Sequence, residues 1–379
     1  MSLGTLHADT AHAEAPAARR AEPLRVRLAG PGDEAALRRL LRQRALGGEV
    51  RLTLEREPDY FASLARECQR HATLLVEHAQ SGEPIAMGSR LVQPAWYQGE
   101  RRPLGYLCQI RLAEGHRLPP RAARRAWETL GATRRWDEAP FDLTSITLDS
   151  RAARRLLEHG LPGQPRYHPI GDYRVHALAT GRPLPAPQGI TLDEADEAAW
   201  RELLEWREAR RRRAALALAG PAEGRVLRLV ARRRGRLLAG LAVLDATPWR
   251  QLVVRGYGGR LARLRPALNL IRALTGTPRL PRVGEPLRCG QVVDLVHAPG
   301  EQPAALALIR HAASRAAALG LDLLLVGHAE RDPLGAWLRH SLPGRHYRTR
   351  LYAAAWSPLA AADLEALREG DLDLEPSAL

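Results

Sequence analysis

The stretch "YLCQIRLAEGHRLPPRAARRAWETL", Tyr106 to Leu130, changes period partway along. Strict alternation places Tyr106, Cys108, Ile110 and Leu112 on one side of an extended strand. From Pro119 onward the apolar residues recur at helical spacing. A Pro in the first helical turn fits, because the N–H there has no ladder partner to lose. Between strand and helix lies a loop that carries His116 and Arg117. Free amides and the dipole of a helix N-terminus both attract negative charge, so this strand, basic loop and helix together predict an anion site.

The plan around it occurs twice. "LRVRLAGPGDEAALRRLLRQRAL", from Leu24, alternates, turns at Gly30-Pro31-Gly32 and becomes helical at Asp33. "GITLDEADEAAWRELLEWREARRRR", from Gly189, is again a short strand and an acid-started helix; Asp193 and Glu194, like Asp33 and Glu34, suit a positive helix end. "ATLLVEHAQSGEPIAMGSRLVQP" and "RVLRLVARRRGRLLAGLAVLDATP" each read as a β-hairpin with Gly at the turn. The opening stretch has its counterpart in "LRCGQVVDLVHAPGEQPAALALIRHAASRAAALG", where Pro303 starts the helix. "FDLTSITLD" and "LDLLLVGHA" supply a later strand in each half. "LLEHGLPG" and "WLRHSLPG" then share His, one residue and Leu-Pro-Gly, and Tyr-bearing strands follow both.

These matches predict two copies of one fold. The expected division is a disordered leader at 1–22, a first domain at 23–178, a Pro/Gly-rich linker at 179–188, a second domain at 189–357 and a tail at 358–379. The second copy carries an insertion around "RLARLRPALNLIRALTGTPRLPRVGE", read as a helix with a Pro-rich return.

A chain of 379 residues suits two cores better than one. Its net charge of +15 arises from 57 basic residues, all of them Arg, against 42 acidic ones. Lys is absent and Asn occurs once, at Asn269, a bias typical of GC-rich coding. The charge therefore favours acidic partners in general. No nucleic-acid motif accompanies it, and nucleic acid is not an expected partner. Cys68, Cys108 and Cys289 show no metal-ligand spacing, so reduced thiols, a cytoplasmic compartment and no metal are expected. No run approaches the ~18 apolar residues of a membrane span.

The order strand, helix, helix, hairpin, long strand, loop, helix, strand, helix, strand resembles the GNAT superfamily of acyl-CoA-dependent N-acetyltransferases. The resemblance rests on "RVRLAGPGDEAALRRLL", "GYLCQIRLAEGHRLPPRAARRAW" and "DSRAARRLLEHGL" and covers nearly the whole chain. It implies an α/β (α+β) fold of two tandem domains, each a mixed, mostly antiparallel sheet flanked by helices. The family's loop Arg/Gln-x-x-Gly-x-Gly/Ala cradles the CoA pyrophosphate. Here Arg117 fills the first position and Ala122 the last, while Pro120 replaces the first Gly and removes one donor. The resemblance implies acetyl-CoA held by Arg117, Leu118, Arg121, Ala122 and Ala123, with strand-like pairing of the pantetheine amides at Leu112 and Ala113. The second copy's loop, "HAPGEQPAALAL", lacks Arg and carries Glu301, which predicts a domain without the phosphate site.

Transfer to an amine needs a base for the ammonium and an acid for the leaving thiolate. The family's carboxylate on the central strand is missing, and Leu157 stands where a Tyr is usual. Tyr106, Tyr167 and Tyr173 are the remaining candidates for an acid, and Cys108 for a covalent role. Asp294 is a base candidate in the second copy. His159 and His340 suit a helix cap rather than catalysis. The resulting expectation is acetyl transfer to the primary amine of an acceptor within a ternary complex. The alternative is a catalytically degenerate protein that binds CoA or a protein partner. A third reading is transfer from aminoacyl-tRNA, with "REARRRR", Arg207 to Arg213, as its basic footprint.

Overall fold

A computed structural model describes residues 23–43, 45, 47–181, 186–275, 278–342 and 345–379. The expected leader, part of the linker, and Pro343 and Gly344 of the shared signature lie outside the described residues.

The first half runs β1 (Leu24–Leu28), α1 (Glu34–Gln43), β2 (Val50–Glu55), α2 (Tyr60–Glu67), β3 (Arg70–His78), β4 (Pro84–Tyr97) and β5 (Glu100–Leu112). It continues with α3 (Pro120–Gly131), β6 (Asp142–Thr147), α4 (Arg151–His159) and β7 (Arg166–Ala179). The second half runs β8 (Thr191–Glu194), α5 (Glu197–Arg213), β9 (Leu216–Leu218), β10 (Arg225–Arg233), β11 (Arg236–Leu244), β12 (Gln251–Tyr257) and α6 (Gly259–Thr275). Then come β13 (Cys289–His297), α7 (Gln302–Ala318), β14 (Leu323–Ala329), α8 (Pro333–Ser341), β15 (Arg345–Ala355), α9 (Ala361–Glu369) and β16 (Leu372–Leu374).

Most strands join one mixed, mostly antiparallel sheet in the order β1-β3-β4-β5-β6-β15-β7-β14-β13-β11-β10-β8. Read inward from its edges, β1-β3-β4-β5-β6 and β8-β10-β11-β13-β14 have the same internal plan, and in each the last pair is parallel. The centre departs from two separate sheets. β15 lies between β6 and β7, and β7 lies between β15 and β14, so each half's last strand pairs with the other half. β2 and β12 form a further two-stranded sheet across the halves.

The residues expected to form a tail fold into α9 and β16, and from Leu372 onward they are largely buried. β16 pairs in parallel with β9, which also pairs with β4. Leu367, Leu372, Leu374 and Ala378 are core residues. Much of the basic run at the end of α5 is engaged by carboxylates of the chain itself. Arg207 is buried between Asp373 and Glu375, Arg210 pairs with Asp332 at 2.7 Å, and Arg211 bridges Asp294 and Glu375. Arg212 stacks over Trp96. Among the described residues no helix is long and apolar enough to cross a membrane.

Candidate functional site: the opening between β5 and β6

β5 and β6 pair at only two positions, Gly105 with Asp142 and Tyr106 with Leu143. Buried ion pairs hold that closed end. The fully buried Arg90 donates from Nε to Asp142 at 3.0 Å, and Arg134 and Trp356 donate to the same carboxylate at 2.9 and 2.7 Å. Only Gly fits at 105, because a Cβ there would sit 2.0 Å from Asp142 Oδ1.

Beyond Tyr106 the two strands part. β6 follows β15, while β5 follows β4 to Leu112. A bulge at Gln109 marks the departure, with φ at 55° and a register shift opposite Met87 and Ser89. A left-handed Gln costs backbone energy. Its buried side chain offsets this within reach of the hydroxyls of Tyr60 (2.6 Å) and Ser89 (3.2 Å).

The bulge corrects the strict alternation expected for this strand. Leu107 and Leu112 pack in the same cluster, whereas Tyr106 packs in another and Ile110 is 45% exposed. Past the bulge, one edge of β5 faces an opening. Ala113 N–H donates to the Ile85 carbonyl, so by the antiparallel alternation the N–H and C=O of Leu112 face the opening. Ala113 itself is not available to a ligand backbone. Its N–H is engaged, and its carbonyl accepts from His116 N–H at 3.2 Å.

The loop then enters α3 at Pro119. Ala123 N–H bonds the Pro119 carbonyl at 2.9 Å, which removes it from the expected cradle. The amides of Leu118, Arg121 and Ala122 have no backbone acceptor among the described residues. Arg117 and Arg121 are exposed, and neither has a carboxylate within ion-pairing distance among the described residues, unlike Arg124, which pairs with Glu128. The donor set is thus three amides and two uncommitted guanidinium groups around one helix end, which fits a pyrophosphate. At the matching place in the second half, Glu301 stands at the N-cap position of α7 with no side-chain capping bond and pairs with Arg233 at 2.8 Å.

The expected catalytic residues are scattered. The Tyr106 hydroxyl meets Ser145 Oγ at 2.7 Å, and burial raises its pKa above the usual value. Tyr167 packs on Trp127 and Tyr352, its hydroxyl unpartnered, and burial raises its pKa too. Tyr173 lies in the core and donates to the Leu374 carbonyl at 2.9 Å, so it fastens the C-terminal strand instead of facing the opening. Tyr173→Phe is expected to cost about 1–2 kcal/mol in urea denaturation, because Leu374 loses its donor, and to leave ligand affinity unchanged.

Burial pushes the Cys108 thiol up to about 12, so it is not a nucleophile at neutral pH. Asp294 is buried and ion-paired with Arg225 at 2.6 Å and Arg211 at 3.2 Å. His159 and His340 each donate Nδ1 to the carbonyl four residues back, at 2.8 and 2.9 Å.

Two features near the opening escaped sequence reasoning. Tyr347 of β15 is 47% exposed. Burial lifts its pKa to about 12, and it lies close enough to Tyr106 to raise that group as well. The strand exchange thus brings a phenol of the second half beside the first half's opening. Arg111, next to the bulge, has an unpartnered Nε, and burial lowers its pKa.

In the second half the equivalent strands, β13 and β14, also part beyond a bulge, at Asp294 with φ at 54°. Here the gap is filled by the chain itself. The Glu375 carboxylate accepts from the amides of Asp294 (3.0 Å) and Gly220 (2.7 Å) and pairs with Arg207 and Arg211. A cavity of only about 30 Å³ remains.

The large, mostly antiparallel mixed sheet flanked by helices matches the GNAT fold. Saccharomyces cerevisiae N-myristoyltransferase with bound myristoyl-CoA superposes at TM-score 0.55, with 10% identity, over 90% of this chain and 81% of the other. A second structure of that yeast enzyme gives 0.53 over 89% and 84%, again at 10% identity. The GCN5-related glucosamine N-acetyltransferase region of a fungal multi-domain GH3 β-N-acetylglucosaminidase gives 0.50 at 14% identity, over 89% of this chain and 39% of the other. No family model and no curated protein matches the sequence.

Proposed function

We propose that the chain is an acyl-CoA-dependent N-acyltransferase whose donor lies in the β5–β6 opening, with acetyl-CoA as the first donor to test. The observation that carries this reading is the alignment of the open β5 edge at Leu112 with the uncommitted loop of Arg117, Leu118, Arg121 and Ala122. An acyl-CoA laid along that edge would pair its pantetheine amides with Leu112 and set its pyrophosphate on the α3 end. The fold's likeness to enzymes whose structures hold myristoyl-CoA supports the same donor class.

The acceptor would be an amine. Its nitrogen attacks the thioester carbonyl, the C–N bond forms, the C–S bond breaks, and the thiolate takes a proton. Tyr106 and Tyr347 are neighbouring phenols held protonated, which suits donors to that thiolate. The second half carries Glu301 and Glu375 in the corresponding places and would serve as scaffold and cavity wall.

One observation favours a second reading, binding without turnover: Asp294 is locked in ion pairs, and β5 carries no carboxylate between Tyr106 and Leu112. Free-thiol release from acetyl-CoA across a panel of amines separates the two. Amine-dependent release supports the enzyme. Measurable binding with no release above the uncatalysed rate for any amine supports the binding module.

A further inference from the structure

We infer that His78, Glu83 and His116 form a binding site for a zinc-class divalent cation, beside the anion loop but separate from it. One ligand atom from each of the three lies within 4.8 Å of the others. A tetrahedral zinc ion with bonds of about 2.0–2.1 Å holds its ligand atoms roughly 3.3 Å apart, so small side-chain rotations would close the site. Two imidazoles and one carboxylate are a donor set that suits zinc and leave a fourth position for water.

The backbone fixes all three positions. His78 and Glu83 face each other across the β3–β4 turn, with His78 N–H donating to the Glu83 carbonyl and Gly82 N–H to the His78 carbonyl, both at 2.9 Å. His116 is set by its N–H bond to Ala113, which in turn bonds Ile85 on β4. The rings of His78 and His116 lie 5.7 Å apart. The His116 ring is also in the right tautomer. Its Nδ1 is 3.1 Å from the Glu114 carbonyl, which can only accept, so Nδ1 carries the proton and Nε2 presents its lone pair.

The three residues span 38 positions with no metal-ligand spacing, which is why the sequence predicted no metal. A bound cation would tie the loop at 113–118 to the β3–β4 hairpin and add positive charge next to Arg117.

The test is a zinc titration of the full chain, read by competition with a chromogenic chelator, with His78→Ala, Glu83→Gln and His116→Ala in parallel. All three side chains lie at or near the surface, and circular dichroism checks that each variant folds. The expected result is one zinc per chain at micromolar or tighter affinity, weakened at least tenfold in both His variants. Hydrogen exchange of 113–118 should slow on adding zinc to the native chain and not to His116→Ala. No micromolar binding, binding unchanged in both His variants, or zinc that leaves exchange at 113–118 unaltered would overturn the inference.

Discussion

Glu375→Gln is expected to destabilise the fold by about 3–5 kcal/mol at neutral pH, the usual cost of stranding a buried charge. Four guanidinium groups (Arg207, Arg210, Arg211 and Arg225) and four carboxylates (Asp294, Asp332, Asp373 and Glu375) meet where the C-terminal segment fills the second half's gap. The set is balanced, so removing one carboxylate leaves one buried positive charge. Burial alone would raise the Glu375 carboxyl, but Arg207, then Arg211, with the amides of Gly220 and Asp294, pull it down to about 2 from 4.5.

The folded value is the lower one, so this stabilisation is complete above pH 4.5 and is lost as pH falls towards 2. Denaturation of the two proteins should therefore converge in stability below pH 4.5. A loss under about 1 kcal/mol at neutral pH would mean the network is looser than its geometry indicates.

Arg117→Glu combined with Arg121→Glu is expected to weaken acetyl-CoA binding by roughly 30- to 150-fold, about 2–3 kcal/mol, as two exposed cations beside a pyrophosphate become anions. The same variant should bind still more weakly at low salt, reversing the salt dependence of the native chain. Both residues are exposed and unpaired, so stability should change little. Unchanged affinity in a well-folded variant would remove the α3 end from the donor site.

Much of this architecture was legible because it is local. Hairpin turns, the acidic start of α1 and the change of period at Pro119 each follow from a few adjacent residues, whereas Asp193 and Glu194 belong to β8 and Asp196 caps α5. What stayed hidden is long-range or made by atypical residues. The bulge falls on Gln109, which adopts the left-handed region because buried partners hold it, so no Gly announced it. The exchange of β7 and β15 left no trace in either strand, since both halves end in a strand whichever sheet it joins.

Arg207 to Arg213 read as a surface run because their partners, Asp294, Asp332, Asp373 and Glu375, stand 80 or more positions later in the chain. The candidate site was half visible. The amides of Leu118, Arg121 and Ala122 have no backbone acceptor among the described residues, whereas those of Ala113 and Ala123 are bonded and Tyr173 donates to Leu374. Tyr347 was out of reach, because only the strand exchange brings it close to Tyr106.

Isothermal calorimetry of acetyl-CoA with the native chain tests the central claim most directly. The account predicts one site per chain with micromolar affinity that weakens as salt rises. No heat of binding at millimolar acetyl-CoA would contradict it, and would leave the β5–β6 opening as a fold feature without its donor.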